Sequence, residues 1–231
     1  MCTLAAKKIN NRFFIFKNRD LKLNAKTRVI KENKGVKKLL IVDEKGHCEG
    51  LNEYGLGLIE ATLIPYPLTK CPDSSKIVRR ILNQKKIADA IEIMRNSRNS
   101  VNTIISDGAK AFIVEKTPND FAVTRIREAG VITNLSVKLS RRNGPSTEEL
   151  RKITRARCLR GKKIIKNVKS FRGIIKFLSD KEGYPHRSIC RGSESISPTR
   201  CSFVYDLKSR AIFFCPTSPD KGSFKKYQLY A

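Results

Sequence analysis

The chain opens on short stretches of alternating character. Thr3-Leu4-Ala5-Ala6 is followed by a polar segment, Lys7 to Arg12, and then by Phe13-Phe14-Ile15-Phe16, which runs out in Lys17-Asn18-Arg19-Asp20. Strand-like runs on both sides of a polar segment predict a β-hairpin that starts at residue 2. A second hairpin is predicted from Lys38-Leu39-Leu40-Ile41-Val42, with Gly50 to Gly55 as turn chemistry and Leu56 to Leu63 as the next strand. Glycines at 50, 55 and 57 suit positive φ or close backbone approach. After a break at Pro65 and Pro67, Ser74 to Asn83 and Lys85 to Asn96 read as helices. In the second, Ile87, Ala90, Ile91 and Met94 recur at helical spacing, so each helix buries one face. Val101 to Ser106, Ala109 to Glu115, Phe121 to Arg127 and Gly130 to Thr133 form a meander of short strands separated by turn residues. Ser146-Thr147-Glu148-Glu149 then opens a helix through Leu150, Ile153 and Cys158, and a further helix is predicted over Ser170 to Ser179. Cys201 to Asp206 and Arg210 to Cys215 close the chain as a hairpin around Leu207-Lys208-Ser209.

Strands and helices thus come in segregated runs, which predicts an α+β fold with layered antiparallel sheets; a four-layer α-β-β-α sandwich fits that order. No repeat, heptad run or linker interrupts it, so residues 1–231 are read as one domain. A hydrophobic content of 40% is enough for a core. The 48 Lys and Arg against 21 Asp and Glu leave a net charge of +27, which implies anionic partners without saying which. No apolar run approaches the roughly 18 to 20 residues of a membrane-spanning helix. The N-terminus also lacks the pattern of a secretory signal, so a cytoplasmic location is expected. The seven cysteines, at 2, 48, 71, 158, 190, 201 and 215, include no CxxC pair, which argues against a disulfide scaffold or a zinc ribbon. His47-Cys48 offers two adjacent metal ligands, but the other thiols stand at no ligand spacing; a buried apolar cysteine is the favoured reading, and no metal is expected.

Cys2 carries the most chemical information. Methionine aminopeptidase removes Met1 when the second residue is small, which leaves a cysteine with a free α-amino group. An α-amine titrates near 8 in model peptides, so thiol and general base then share one residue. Taken alone, a cysteine at position 2 is more often chance. The start Met1-Cys2-Thr3 together with Asn18-Arg19-Asp20, however, resembles the N-terminal-nucleophile hydrolases of the choloylglycine hydrolase and isopenicillin-N (acyl-CoA:6-aminopenicillanic acid) acyltransferase type. These begin Cys-Thr and carry an Asn-x-Asp about sixteen residues on. The Asn-Arg-Asp wording is also similar to that of the related NRDE proteins. Gly50 to Leu58 resembles the family's glycine-bounded hairpin, and Gly130-Val131-Ile132-Thr133-Asn134 its Val-x-Thr-Asn strand end. Ser188-Ile189-Cys190-Arg191 and the hairpin from Ser202 to Cys215-Pro216 resemble its C-terminal part.

The resemblance implies a Cys2 thiolate nucleophile with its own α-amine as base, Asp20 to orient that amine, and Asn134 to donate to the oxyanion. It implies Arg155 as the site arginine, with Arg157 as the adjacent competitor. Asn18, Arg19, Lys17 and Thr62 take secondary places. Lys17 stands where bile-salt hydrolases keep an arginine, with Arg19 as its neighbouring substitute, and Thr62 offers a hydroxyl where a second oxyanion asparagine is expected. Asp20 and Asn134 also read as ordinary strand-end turn residues, and either arginine as a solvated helix face. The activity implied is hydrolysis or acyl transfer at a linear, non-peptide amide through a Cys2 thioester, with no cofactor. The partner is then a small amide or acyl substrate, and a homo-oligomer is compatible with the sequence. The charge supports a competing reading, a basic nucleic-acid-binding module; yet no helix-turn-helix, RNP1, GXXG or zinc-finger pattern appears, and the basic residues are spread along the chain. Nonspecific nucleic-acid attraction follows from the charge in either case. A positive mouth selecting an acyl substrate with a carboxylate or phosphate reconciles the two readings.

Overall fold

Asn10 and Asn11 both adopt positive φ, 49° and 60°, the two-residue hairpin turn that asparagine tolerates better than most residues. Because that turn is so tight, the first strands run longer than the polar segment Lys7 to Arg12 suggests: β1 covers Cys2–Ile9 and β2 Arg12–Asp20. The computed structural model describes residues 1–22, 25–63, 74–139 and 147–230. The break at Pro65 and Pro67, Cys71, and the Ser146 helix opening lie outside the described residues.

The remaining strands are β3 (Thr27–Glu32), β4 (Lys38–Asp43), β5 (Cys48–Asn52), β6 (Gly57–Thr62), β7 (Val101–Ser106), β8 (Ala111–Lys116), β9 (Phe121–Ile126), β10 (Ala129–Ile132), β11 (Thr199–Asp206), β12 (Ala211–Cys215) and β13 (Lys225–Gln228). The helices are α1 (Ser74–Ile81), α2 (Ile87–Arg95), α3 (Glu148–Ile164) and α4 (Phe171–Leu178). One antiparallel sheet has the order β10-β1-β2-β11-β12-β13, the other β3-β4-β5-β6-β7-β8-β9.

Three apolar clusters define the layers. Leu4, Ile15, Leu51, Ile59, Ile104 and Phe203 lie between the sheets. Leu40, Leu58, Ile81 and Met94 join the second sheet to α1 and α2. Ala5, Phe16, Ile174 and Phe177 join the first sheet to α4, with Phe16 and Phe177 edge to face at 5.4 Å. This is the α-β-β-α sandwich expected from the element order. α3 and α4 begin where capping chemistry permits: the Thr147 and Ser170 side chains accept from the backbone N–H groups of Leu150 and Gly173. No helix among the described residues is long and apolar enough to cross a membrane.

Three strands depart from the sequence pattern. Gly50 lies inside β5, not in a turn, paired with Leu40. A Cβ there would stand 2.1 Å from the Leu39 carbonyl oxygen, so the glycine answers close strand approach. The turn falls instead at Glu53 to Gly55, where Gly55 takes φ 85°. β3 and β13 are edge strands, Thr-Arg-Val-Ile-Lys-Glu and Lys-Lys-Tyr-Gln. Charged edges discourage edge-to-edge pairing and erase the apolar alternation that would reveal a strand.

Candidate active site

The tight turn at Asn10-Asn11 decides what stands opposite the N-terminus. Cys2 pairs with Arg19 and Thr3 with Asn18, so Asp20 ends beside the first residues of β1. On the other flank β10 pairs Ile132 with Leu4, a register that brings Asn134 level with Cys2 two residues on. The Cys2 backbone N–H donates to Asn134 Oδ1 at 2.5 Å, and Asn134 Nδ2 donates to the Thr62 carbonyl at 2.7 Å. One amide therefore ties the start of β1 to the end of β6 in the facing sheet. It is the carbonyl of Thr62 that serves this contact; its side chain is exposed.

Pleating sends Cys2, Lys17 and Arg19 into the space between the sheets, and Thr3, Asn18 and Asp20 toward the layer of α3 and α4. Asp20 is buried, its Oδ2 accepting from Arg157 Nη1 at 2.9 Å and its Oδ1 from the Thr199 hydroxyl at 2.8 Å. Arg157 also donates to Thr3 Oγ1 at 3.2 Å. Arg191 Nη1 lies 3.9 Å from the same Asp20 oxygen. Burial pushes the Asp20 carboxyl up from its ordinary range, against the pull of Arg157, the terminal amine and Arg191. The Met1 amine donates to the Asp20 carbonyl at 3.0 Å, and burial holds its pKa below the ordinary α-amine value.

Arg155 is a correction. It is exposed, whereas Arg157 is fully buried against Asp20. Two residues along a helix rotate a side chain by about 200°, so only one of the two arginines can face the site. The signal was present: Arg157 follows Ile153 by one helical turn and precedes Cys158, both on the buried face. Arg191 stands in the sequence only as part of the Ser188 to Arg191 resemblance, with no role, because it sits in an irregular segment where periodicity carries no information. Asn18 holds that segment: its Nδ2 donates to the carbonyls of Leu178 and Ile189, and its Oδ1 accepts from Ser202.

Lys17 and Arg19 belong to a second buried charge cluster that crosses between the sheets. Lys17 Nζ meets Glu49 at 2.6 and 2.9 Å and the Glu60 carbonyl at 2.5 Å, while Arg19 meets Asp43 at 3.0 Å. Burial first, and then the neighbouring Glu49 charge, push the Glu60 carboxyl from 4.5 up to about 8. A raised carboxyl pKa favours the protonated folded state, so its stabilising effect is whole below pH 4.5 and lost as pH rises through about 8. Glu60→Gln is expected to flatten the stability profile between those limits and to stabilise the protein at pH 8 and above. The gain should be no more than a few kcal/mol, since one pKa unit is about 1.4 kcal/mol and solvent reaches this half-buried group. Chemical denaturation at pH 5 and pH 8.5 checks it; an unchanged slope against pH would remove the assignment.

Cys48 is buried, its thiol pushed up to about 11 by burial. Among the described residues no group of three His, Cys, Asp or Glu side chains is placed to hold a metal ion.

Two stacked antiparallel sheets between helical layers, with a cysteine opening a central strand of one sheet, define the N-terminal-nucleophile hydrolase fold. Solved structures with this architecture overlay nearly the whole chain. Penicillin V acylase from Agrobacterium tumefaciens matches at TM-score 0.61 and 14% identity, covering 99% of this chain and 86% of that one. A variant of conjugated bile acid hydrolase from Clostridium perfringens matches at TM-score 0.60 and 14% identity, covering 98% and 97%. A Caenorhabditis elegans ortholog of N-acylethanolamine-hydrolyzing acid amidase matches at 0.61 and 11%, covering 89% and 93%. No curated protein matches the sequence. The family described as acyl-coenzyme A:6-aminopenicillanic acid acyl-transferase matches residues 7–221, and the chain belongs to that family. This places it among enzymes that act on amide bonds.

Proposed function

We propose that the protein hydrolyses a linear, non-peptide amide, or transfers its acyl group, through a Cys2 thioester formed after removal of Met1. The observation that carries this reading is the setting of the Cys2 nitrogen: it is held by Asn134, and the Met1 amine one residue before it is bonded to the carbonyl of Asp20, whose carboxylate faces Arg157 and Arg191. Once Met1 is gone, that nitrogen is a primary amine next to its own thiol.

The steps follow from those groups. The neutral amine takes the thiol proton and the sulfur attacks the amide carbonyl carbon. Asn134 keeps the nitrogen in place and has a second amide proton to offer the tetrahedral oxyanion. As the C–N bond breaks, the ammonium returns its proton to the departing amine. Water or an acceptor amine then attacks the thioester, giving a carboxylic acid or a new amide and restoring the thiol. The burial that holds the Met1 amine below its ordinary pKa acts in the same pocket, favouring the neutral base near pH 7. Asp20 holds the amine region, and Arg157 holds Asp20.

Processed protein is expected to turn over members of a panel of N-acyl amides and to show a transient acyl adduct on Cys2 by intact mass. Protein that retains Met1 should do neither. Because the Met1 amine is buried and bonded to the Asp20 carbonyl, the folded Met1 form should resist methionine aminopeptidase, while the denatured chain is trimmed. Trimming at equal rates in both states would overturn this placement of the N-terminus. Equal amide turnover by processed and unprocessed protein would overturn the mechanism.

A further inference from the structure

Charge accounting around Asp20 does not close. Its carboxylate faces two buried guanidiniums, and Arg157 has the hydrogen bond. Arg191 is 2% exposed, its Nη1 is 3.9 Å from Asp20, and its Nε and Nη1 have no hydrogen-bond partner among the described residues. Burial draws its pKa down to about 10, with Asp20 as the attractive counter-charge and Arg157 as a repulsive one. A buried guanidinium with unmet donors is expensive unless an anion meets them.

Beside Arg191 lies a cavity of about 200 Å³. Arg200, Lys221, Ser193 and Thr217 help to line it, and the buried Arg200 Nε also lacks a partner. Among the described residues the one carboxylate in its wall is Asp220, which is taken by Lys181 at 2.5 Å and by Ser218; burial pushes its pKa up, but that lysine, Ser218 and Cys190 together draw it down to about 2. Glu194, just outside, accepts from the Tyr184 hydroxyl. The wall therefore keeps the positive charge of Arg191, Arg200 and Lys221 after its own carboxylate is paired.

The cavity also adjoins the nucleophile cluster. Thr199 lines it, accepts from the Arg191 backbone N–H at 2.9 Å, and donates to Asp20. We propose that this cavity binds an oxyanion, a carboxylate or a phosphate ester, and that the anion is the charged end of the substrate whose amide reaches Cys2. The first half stands on the cavity alone; the second rests on the function proposed above.

Two measurements separate the halves. Inorganic phosphate and succinate are titrated in parallel into the full chain at constant ionic strength, following the Gly192 amide and Arg191 side-chain resonances by NMR. Saturable shifts are expected with at least one anion, and the ratio of the two affinities tells phosphate from carboxylate. In the Arg200→Gln/Lys221→Gln double variant, affinity should fall about tenfold or more, since two charge-assisted contacts to the anion are lost. Shifts that do not saturate, or equal affinity in the variant, would overturn the site. Second, kcat/KM is compared for amides with an anionic acyl tail and their neutral counterparts. The double variant should lower the anionic-to-neutral ratio about tenfold. An unchanged ratio in a double variant that has lost its anion affinity would overturn the substrate assignment and leave the site. If wild-type protein turns over no amide, the proposed function fails, and the titration still decides the site.

Discussion

Cys2→Ala is expected to abolish amide turnover and acyl-adduct formation while leaving the sandwich folded. The side chain is small and 9% exposed, and the change removes one sulfur atom, so the stability change should stay near 1 kcal/mol. The rate loss should reach about three orders of magnitude or more, the scale at which removing a covalent nucleophile leaves only binding and electrostatic assistance. Cys2→Ser keeps a small hydroxyl and the same α-amine but a poorer nucleophile, and is expected to fall by a similar amount. Both variants keep a small second residue and are still processed, so a mass lacking methionine confirms that only the side chain differs. Turnover near the wild-type level in correctly processed Cys2→Ala would remove the thiol from the mechanism. Lost turnover together with a melting point lowered by ten degrees would point to misfolding instead, and Cys2→Ser then separates the two.

How much of this was legible in the sequence depends on the physical origin of each feature. The first hairpin and the level of Asn18 and Asp20 relative to Cys2 are local: strand runs and a tight turn set them, and both leave a period-two trace, whereas Asn134 comes level with Cys2 only through the pairing of β10 with β1 across 132 residues. The Arg155 reading failed although its evidence was local too, because helical phase must be followed to the residue and these two arginines lie two positions apart. Arg191 reaches Asp20 through an irregular loop pinned by Asn18, an arrangement that no periodicity encodes, and Thr199 reaches it through the long-range pairing of β11 with β2. The Lys17–Glu49 pair joins residues 32 apart across two sheets. A sequence presents a lysine and a glutamate at each such place with nothing to say which pairs meet. Edge strands β3 and β13 were hidden by the charges that protect them.

Arg157 carries the second large effect, and its consequence runs through Asp20. In Arg157→Leu the carboxylate keeps Thr199 but loses the one guanidinium at hydrogen-bonding distance among the described residues, with Arg191 remaining 3.9 Å away. Removing one partner of a buried ion pair costs about 3–5 kcal/mol, because the other charge stays buried and uncompensated. For a chain of this length each kcal/mol corresponds to about 2–4 °C, so a fall in melting temperature on the order of 10 °C is expected. The pH dependence gives the sign. Asp20 in the variant should have its pKa raised further above 3.8, and a raised carboxyl pKa makes the folded state relatively more stable as pH falls. The deficit against wild type should therefore shrink in acid and be largest at neutral pH. Asp20→Asn in the Arg157→Leu background removes the stranded charge and should recover part of the stability. Under the proposed mechanism amide turnover should stay low in that double variant, because no carboxylate is left at position 20 to orient the amine. Arg157→Lys, which restores the charge without the planar fork, should recover stability more fully than turnover. Should the double variant be no more stable than Arg157→Leu at pH 7, the loss belongs to packing around α3 and not to the Asp20 charge.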